Sequence, residues 1–501
     1  VSEASEPSAD HGEVNKAVGD MFGRGSLFLV AWAMQLIAVV FSVPIVTRLM
    51  GTGQYGHAAA SVSFIAVLAG LANLGLQSAV QRLYVEEDGR RRARGLLAVS
   101  LVLSLVMTLL FAVTGPLWSR WFGFGHFGGV IEVTVVWSGL LAATMTALAL
   151  LRSEDRLAPF SAVSGVQSIG AQILGVGFVL AFGHSAFEYI GGLAVGQTIA
   201  LIIALTYCPP LISGLRDLTT TRSSLAYGLP LVPQYLATFV LAAGDRLIVL
   251  RDIGPTAVGR YQVAYNVSAL SIVLLGALNQ MWTPRFFGVS TESLRWRVQA
   301  RLRDDLYRLL LPMLVGISLG TPVLLHFYVP ASYRTNQLVT VEWLVALSAI
   351  PYAAYIASQR VLLWRKRTAH LATVSILAGL LNIILNLWLV PIMGISGSAL
   401  ATLICYGALA IGAHLVARGR AVVPKTNART IIAIAACIGL SSITLIVPLS
   451  TPWMIARAGA ALVCGIWFAL ALRRIIIGTP EPPEQRQSRS PLHRRTKVAA
   501  G

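Results

Sequence analysis

Arginine and glycine recur at matching positions 203 residues apart in this chain. Arg48, Gly51 and Gly56 fall on Arg251, Gly254 and Gly259, and Arg82 falls on Arg285. The planar fork of an arginine donates two parallel hydrogen bonds to a phosphate or a carboxylate. Arg82, Arg285 and Arg24 are therefore candidate ligands for an anionic group. Arg246 is a further one, and it stands beside Asp245 inside an apolar run. Asp245 could take up a proton or an ion, hold an arginine from elsewhere, or fix its own helix. Neighbours on a helix point to different faces, so the two need not pair. Arg48 and Arg251, with Gly51 and Gly254, read either as a gate or as a structural turn. The glycines would supply positive φ or a close approach. Pro230 and Pro233 remove backbone bonds from the run that carries Asp245, and so mark a hinge or a static kink.

The elements that must hold these residues are membrane spans. The chain has 501 residues, 56% apolar and 12% charged, with a mean hydropathy of +0.71. Soluble domains carry about 25% charged residues. Apolar runs recur near 24–47, 57–81, 95–117, 129–151, 160–182, 187–207, 226–250, 259–283, 306–329, 339–362, 368–390, 393–417, 429–448 and 452–472. Each can cross about 30 Å of hydrocarbon, and only a helix satisfies its own backbone there. The predicted fold is all-α, with about fourteen transmembrane helices. The loops and tail on one side hold 29 Lys and Arg, against 6 on the other. By the positive-inside rule the rich side is expected to be cytoplasmic, with both termini there. This bias accounts for the net charge of +18 and assigns it to the bilayer surface, not to nucleic acid.

Residues 1–22 and 479–501 read as disordered cytoplasmic tails. The first apolar run reads as a retained helix, since no small-residue cleavage site follows a short core. Cys208, Cys405, Cys437 and Cys464 are scattered without metal spacing, and no cofactor is implied. Asn382 and Asn386 share a face and are expected to bond across helices. Glu132 and Glu342, near outer helix ends, are expected to snorkel.

Six helices separate the repeated segments. Six is even, so the copies are parallel and related by an axis along the membrane normal. An N-lobe over 23–208 and a C-lobe over 226–418 face each other across a central cleft. They are joined by a linker over 209–225 and followed by two extra helices over 429–474.

Four stretches carry a family resemblance: PIVTRLMGTGQYG at 44–56, LGLQSAVQR at 74–82, GLPLVPQYLATFVLAAGDRLIVLRDIGPTAVGRYQVA at 228–264, and LNIILNLWLVPIMGISGSALAT at 381–402. Together they resemble the bacterial O-antigen and exopolysaccharide flippases of the multidrug/oligosaccharidyl-lipid/polysaccharide exporter superfamily. The resemblance implies alternating-access transfer of a polyprenyl-diphosphate-linked oligosaccharide between leaflets, for surface polysaccharide biosynthesis. Arg82, Arg285, Arg24 and Arg246 would then bind the diphosphate, and Asp245 would serve coupling. A polysaccharide polymerase or glycosyltransferases are the expected neighbours, and the chain itself is expected to be a monomer. A peptidoglycan-precursor flippase has the same cavity logic and stays open. A multidrug antiporter would want acidic residues inside helices 1, 2 and 8, where none stands. A membrane glycan polymerase would want a large outer loop, and the longest, around 118–128, is short. The chain is therefore not expected to be an enzyme. It has no ATP-binding loop, which leaves an ion gradient or the membrane potential as the energy source.

Overall fold

The computed structural model describes residues 41–287, 292–418 and 428–477. Arg24, both tails and most of the first apolar run lie outside these residues. The described part of α1 is helical over 41–49. There follow α2 (Thr52–Asn73, continued as Leu76–Tyr84), α3 (Gly89–Trp118), α4 (Val130–Ser153) and α5 (Leu157–Phe182, with a π-turn at Val166–Gly170). Next come α6 (Ala186–Tyr207), α7 (Leu218–Asp252) and α8 (Pro255–Ser268, continued as Leu270–Phe287). The remaining helices are α9 (Glu292–Tyr328), α10 (Val339–Trp364), α11 (Thr368–Met393), α12 (Ile395–Arg418), α13 (Ala428–Ser442) and α14 (Thr451–Ile477).

Among the described residues twelve helices are long and apolar enough to span a membrane, and α8 makes a thirteenth if its two parts, bent by 44°, are one span. The count is roughly consistent with about fourteen spans. The lipid-facing surface is apolar, as membrane burial requires: Leu105, Leu109 and Val113 on α3, and Leu380, Ile384 and Trp388 on α11, are all exposed.

The repeat is visible in where helices start. Thr52 opens α2 and Pro255 opens α8, again 203 residues apart. Gly254 adopts φ +115°, a conformation that favours glycine. Gly51, at φ −65° and with open space around it, needs no glycine, and nothing in its surroundings explains the residue. The second glycine pair does have a purpose. A Cβ on Gly56 would lie 1.7 Å from the carbonyl oxygen of Pro255, and one on Gly259 would lie 2.3 Å from that of Thr52. The two contacts are the same contact seen from either lobe. The pseudo-twofold axis therefore passes between Gly56 and Gly259, where α2 and α8 cross backbone to backbone. Small residues permit such crossings in membranes, where dispersion and weak polar contacts replace the hydrophobic drive.

Around this crossing, at the arginine-poor ends of the helices, one apolar core is shared by both lobes. It joins Val46, Tyr55, Ile190 and Leu193 of the N-lobe to Tyr261, Val267, Tyr333 and Val341 of the C-lobe. At the arginine-rich ends the cores are separate. One is built from Leu76, Leu83, Leu97, Leu150 and Ala204, the other from Leu275, Leu306, Leu310 and Ile356. There the lobes meet along a narrower seam. α2 breaks at Leu74 and Gly75, both with positive φ, and Gly75 lies directly on the backbone of Gly228 in α7. Ser78 bonds Tyr235 across the same seam at 2.6 Å.

Within the N-lobe, Asn73 donates to Ala142 O and Thr146 Oγ1, Thr146 meets Ser100, and Gln197 donates to Thr144. Buried amides and hydroxyls thereby satisfy one another in a medium that offers them no water. The extra helices dock on α9, whose Gly316 and Gly320 face Ala461 and Cys464 of α14. Buried Arg457 of α14 donates to Thr444 O and Val447 O just beyond α13, where a cation suits the free carbonyls.

Overpacking a tight crossing costs about 1–3 kcal/mol. Gly56→Ala and Gly259→Ala should each lower thermal stability in detergent by that order. Gly439→Ala and Gly459→Ala, at glycines with open space around them, should leave it unchanged.

Candidate functional site

On α7 the chain widens into a π-turn over Val240–Gly244, immediately before Asp245. Such single turns in helices frequently mark functional sites. Asp245 and Arg246 are both buried, and although neighbours on a helix need not pair, these do: Arg246 Nη1 donates to Asp245 Oδ1 at 2.7 Å. The reason is that the arginine folds back along its own helix. The same Nη1 donates to Ala242 O, inside the π-turn, at 2.7 Å. That curl brings the guanidinium alongside the preceding residue.

Three other helices complete the network. From α8, Tyr261 donates to Asp245 Oδ2 at 2.6 Å, and from α12 Ser398 donates to the same oxygen at 3.2 Å. Arg246 Nε donates to Gln262 Oε1 at 2.9 Å, and the guanidinium lies 4.0 Å from the centre of the Tyr265 ring. A desolvated stack of this kind contributes about 2 kcal/mol. Gln262 in turn donates to Asn266, and Asn266 reaches Tyr55 of α2 at 3.5 Å. The network therefore begins in the C-lobe and ends on the N-lobe beside the Gly56–Gly259 crossing. Burying two charges is costly unless each is paired and bonded, and here both are.

The two outer arginines behave as a symmetric pair. Arg48, at the end of α1, donates to Phe327 O and Tyr328 O at 2.8 and 3.2 Å, on the last residues of α9. Arg251, at the end of α7, lies 6.0 Å from the ring of Trp121, and its backbone packs on Gly123 in the turn after α3. α9 is the repeat partner of α3. Each arginine thus crosses to the end of the third helix of the opposite lobe.

At the arginine-rich end, Arg82 is well exposed. It pairs with Glu86 at 3.8 Å and lies 4.7 Å over the ring of Tyr227, which belongs to α7. Arg285 stands in the last turn of α8. Pro230 sits in a 3-10 turn over Leu229–Leu231 and Pro233 opens the next helical stretch of α7, both exposed. The structure thus brings Asp245 and Arg246 together, sets Arg48 and Arg251 on the crossing face, and keeps Arg82 apart from both groups.

Sequence reasoning missed the α8 residues Tyr261, Gln262, Tyr265 and Asn266. Their spacing puts polar groups on one stripe of an apolar span, and that signal could have found them. Glu132 is exposed, as expected for a snorkelling side chain, but Glu342 is fully buried. Neither Glu342 oxygen has a hydrogen-bond partner among the described residues, and Arg457 acts on it electrostatically. α10 is covered there by the turn after α13, so its outer end has no water to reach. Asn382 and Asn386 bond one another along α11, and Asn382 also meets Cys405 of α12 across helices, as expected.

Removing one partner from a buried pair costs about 3–5 kcal/mol, whereas replacing both is often close to neutral. Arg246→Met should therefore lower stability by that order, and Asp245→Leu/Arg246→Met together should recover most of it. Thermal unfolding of the purified variants checks this.

A family model described as polysaccharide biosynthesis protein matches residues 45–325, more than half of the chain. No curated protein sequence matches the chain. Among solved structures, the lipid II flippase MurJ in an inward closed conformation superposes with a TM-score of 0.67 at 14% identity. That match covers 91% of this chain and 100% of that one. An inward-facing multidrug resistance MATE family transporter of the MOP superfamily superposes with a TM-score of 0.51 at 15% identity, covering 80% of this chain and 98% of that one. At such identities the likeness is one of fold. The family match and the two-lobed membrane fold agree, and the chain belongs to the polysaccharide biosynthesis protein family.

Proposed function

We propose that this protein is a flippase that moves a polyprenyl-diphosphate-linked oligosaccharide across the cytoplasmic membrane by alternating access, for surface polysaccharide biosynthesis. The observation that carries the reading is the uneven sealing of the lobes. They share a core at the arginine-poor end and keep separate cores at the arginine-rich end. A rocking motion therefore has an arginine-rich mouth, facing the cytoplasm, at which an anionic headgroup is taken up. Arg82 and Arg285, on repeat-equivalent helices, would flank that mouth, and Arg24, outside the described residues, is assigned to the same side by the sequence. Their role is bidentate capture of the diphosphate.

On the far side, rocking must break the Gly56–Gly259 crossing and the contacts of Arg48 and Arg251. In this reading those are the outer gate, and the turns of α7 around Pro230 and Pro233 are its hinge. Opening would free Arg246 from the Tyr55 side of its network and offer it to the phosphate. Asp245 would then take a compensating cation or proton. A cationic drug is the poorer cargo, because Arg246 already neutralises Asp245. The peptidoglycan-precursor reading is favoured only by the fold likeness to MurJ.

In proteoliposomes bearing a fluorescent polyprenyl-diphosphate oligosaccharide, Arg82→Ala and Arg285→Ala should each slow flipping, and the double variant should slow it at least tenfold, about 1.4 kcal/mol of barrier. Normal flipping by the double variant would remove both arginines from the mechanism. Flipping of a peptidoglycan precursor in place of the surface-polysaccharide intermediate would select the other cargo.

A further inference from the structure

The arginines counted as topogenic are not all alike. Three converge on one carboxylate. Glu154, in the turn between α4 and α5, has a side chain only 2% exposed. It receives Arg90 Nε at 3.2 Å, Arg94 Nε at 3.1 Å and Arg156 Nε at 3.2 Å. Both carboxylate oxygens are occupied, and the cluster keeps two positive charges in excess. Among the described residues Arg90 bonds only through Nε, and its side chain is 58% exposed. Arg156 also donates from Nη1 to Tyr207 O at 2.7 Å, which leaves Nη2 to point elsewhere. The spare N–H groups are thus held together on Glu154 at the arginine-rich end of the N-lobe.

The segment between α6 and α7 packs directly onto this cluster. Leu211 N donates to Arg94 O at 3.0 Å, and Gly214 lies so close to Gly95 that a Cβ would come within 2.2 Å of its Cα. The 3-10 turn Ile212–Arg216 follows. Ile212, Leu215 and Leu218 project from it and beyond it without cover. Asp217 then starts α7 by accepting from Thr220 N and Oγ1, bonds that hold its carboxyl below the usual carboxylate range, and Arg92 bonds the same threonine. A row of bare aliphatic side chains on a polar turn is costly in water. It is favourable at the boundary between headgroups and acyl chains.

We propose that Arg90, Arg94 and Arg156, gathered on Glu154 beside the apolar turn Ile212–Arg216, form a binding site for the phosphodiester headgroup of one anionic phospholipid. The guanidinium excess takes the phosphate, and Ile212, Leu215 and Leu218 lie along the acyl chains. A soluble anion would use the first feature and leave the second unexplained. The site is built from the N-lobe and the linker that follows it, and does not depend on what the cleft carries.

The test is native mass spectrometry of the full chain with phosphatidylglycerol or phosphatidylcholine of identical acyl chains. An interfacial arginine is worth roughly fivefold in anionic-lipid affinity, so the unaltered protein should prefer phosphatidylglycerol about tenfold or more. Arg90→Gln/Arg156→Gln should reduce that preference to near unity. Ile212→Ser/Leu218→Ser should weaken both lipids alike and keep the ratio. If the glutamine pair does not fold, Arg90→Gln alone, at a mostly exposed side chain, carries the same comparison. An unchanged preference in the arginine variants overturns the proposal. So does displacement of phosphatidylglycerol by equimolar polyprenyl diphosphate, which would assign the arginines to the cargo, or by inorganic pyrophosphate, which would make the site a general anion site.

Discussion

Two glycines set on each other's backbones are the contact around which this molecule is organised. Gly56 rests on the carbonyl of Pro255, Gly259 on that of Thr52, and no side chain fits between. Loosening it is costly, because a gap of about 0.5–1 Å already removes roughly a quarter to a half of the dispersion gained and supplies no water to the carbonyls. The shared core, the outward reach of Arg48 and Arg251, and the Asn266–Tyr55 link all depend on the lobes being held at that distance.

The Asp245–Arg246 network shows the same economy. A membrane interior tolerates a carboxylate and a guanidinium only when their charges and their hydrogen-bonding groups are answered within the protein. Two tyrosines, a serine, a glutamine and a carbonyl freed by the π-turn do this. Its last member, Asn266, reaches Tyr55 of the opposite lobe beside the crossing. The arginines of the opposite face follow another rule. Those around Glu154 are fixed as a platform, whereas Arg82 is exposed and meets only Glu86 and the Tyr227 ring.

Much of the architecture was legible in the sequence, for physical reasons. Span length, loop charge and the 203-residue offset each reflect a constraint of the bilayer, so helix number, parallel lobes and the two repeat glycines could be read directly. What could not be read was the partner of each group. Gly56 was visible as a repeat position, but not as a seat for the Pro255 carbonyl. The pairing of Asp245 with its own neighbour depends on a π-turn that has no clear signature in VLAAG. Glu342 was expected to reach water, and the docking of α13 and α14 over α10 prevents it. Such docking depends on Gly316 and Gly320 meeting Ala461 and Cys464, a match between distant segments that composition does not display.

The central claim is that the crossing of α2 and α8 is a gate that must open in each transport cycle. Gly53 and Thr256, themselves repeat equivalents, sit across it, and a Cβ on Gly53 would lie 3.5 Å from Thr256 Oγ1. A sulfur in place of that Oγ1 would lie within reach of a cysteine at residue 53. With the native Cys208, Cys405, Cys437 and Cys464 replaced, Gly53→Cys/Thr256→Cys should cross-link on oxidation. Flipping in proteoliposomes should then stop and should return on reduction. Undiminished flipping by the fully cross-linked protein would contradict the account.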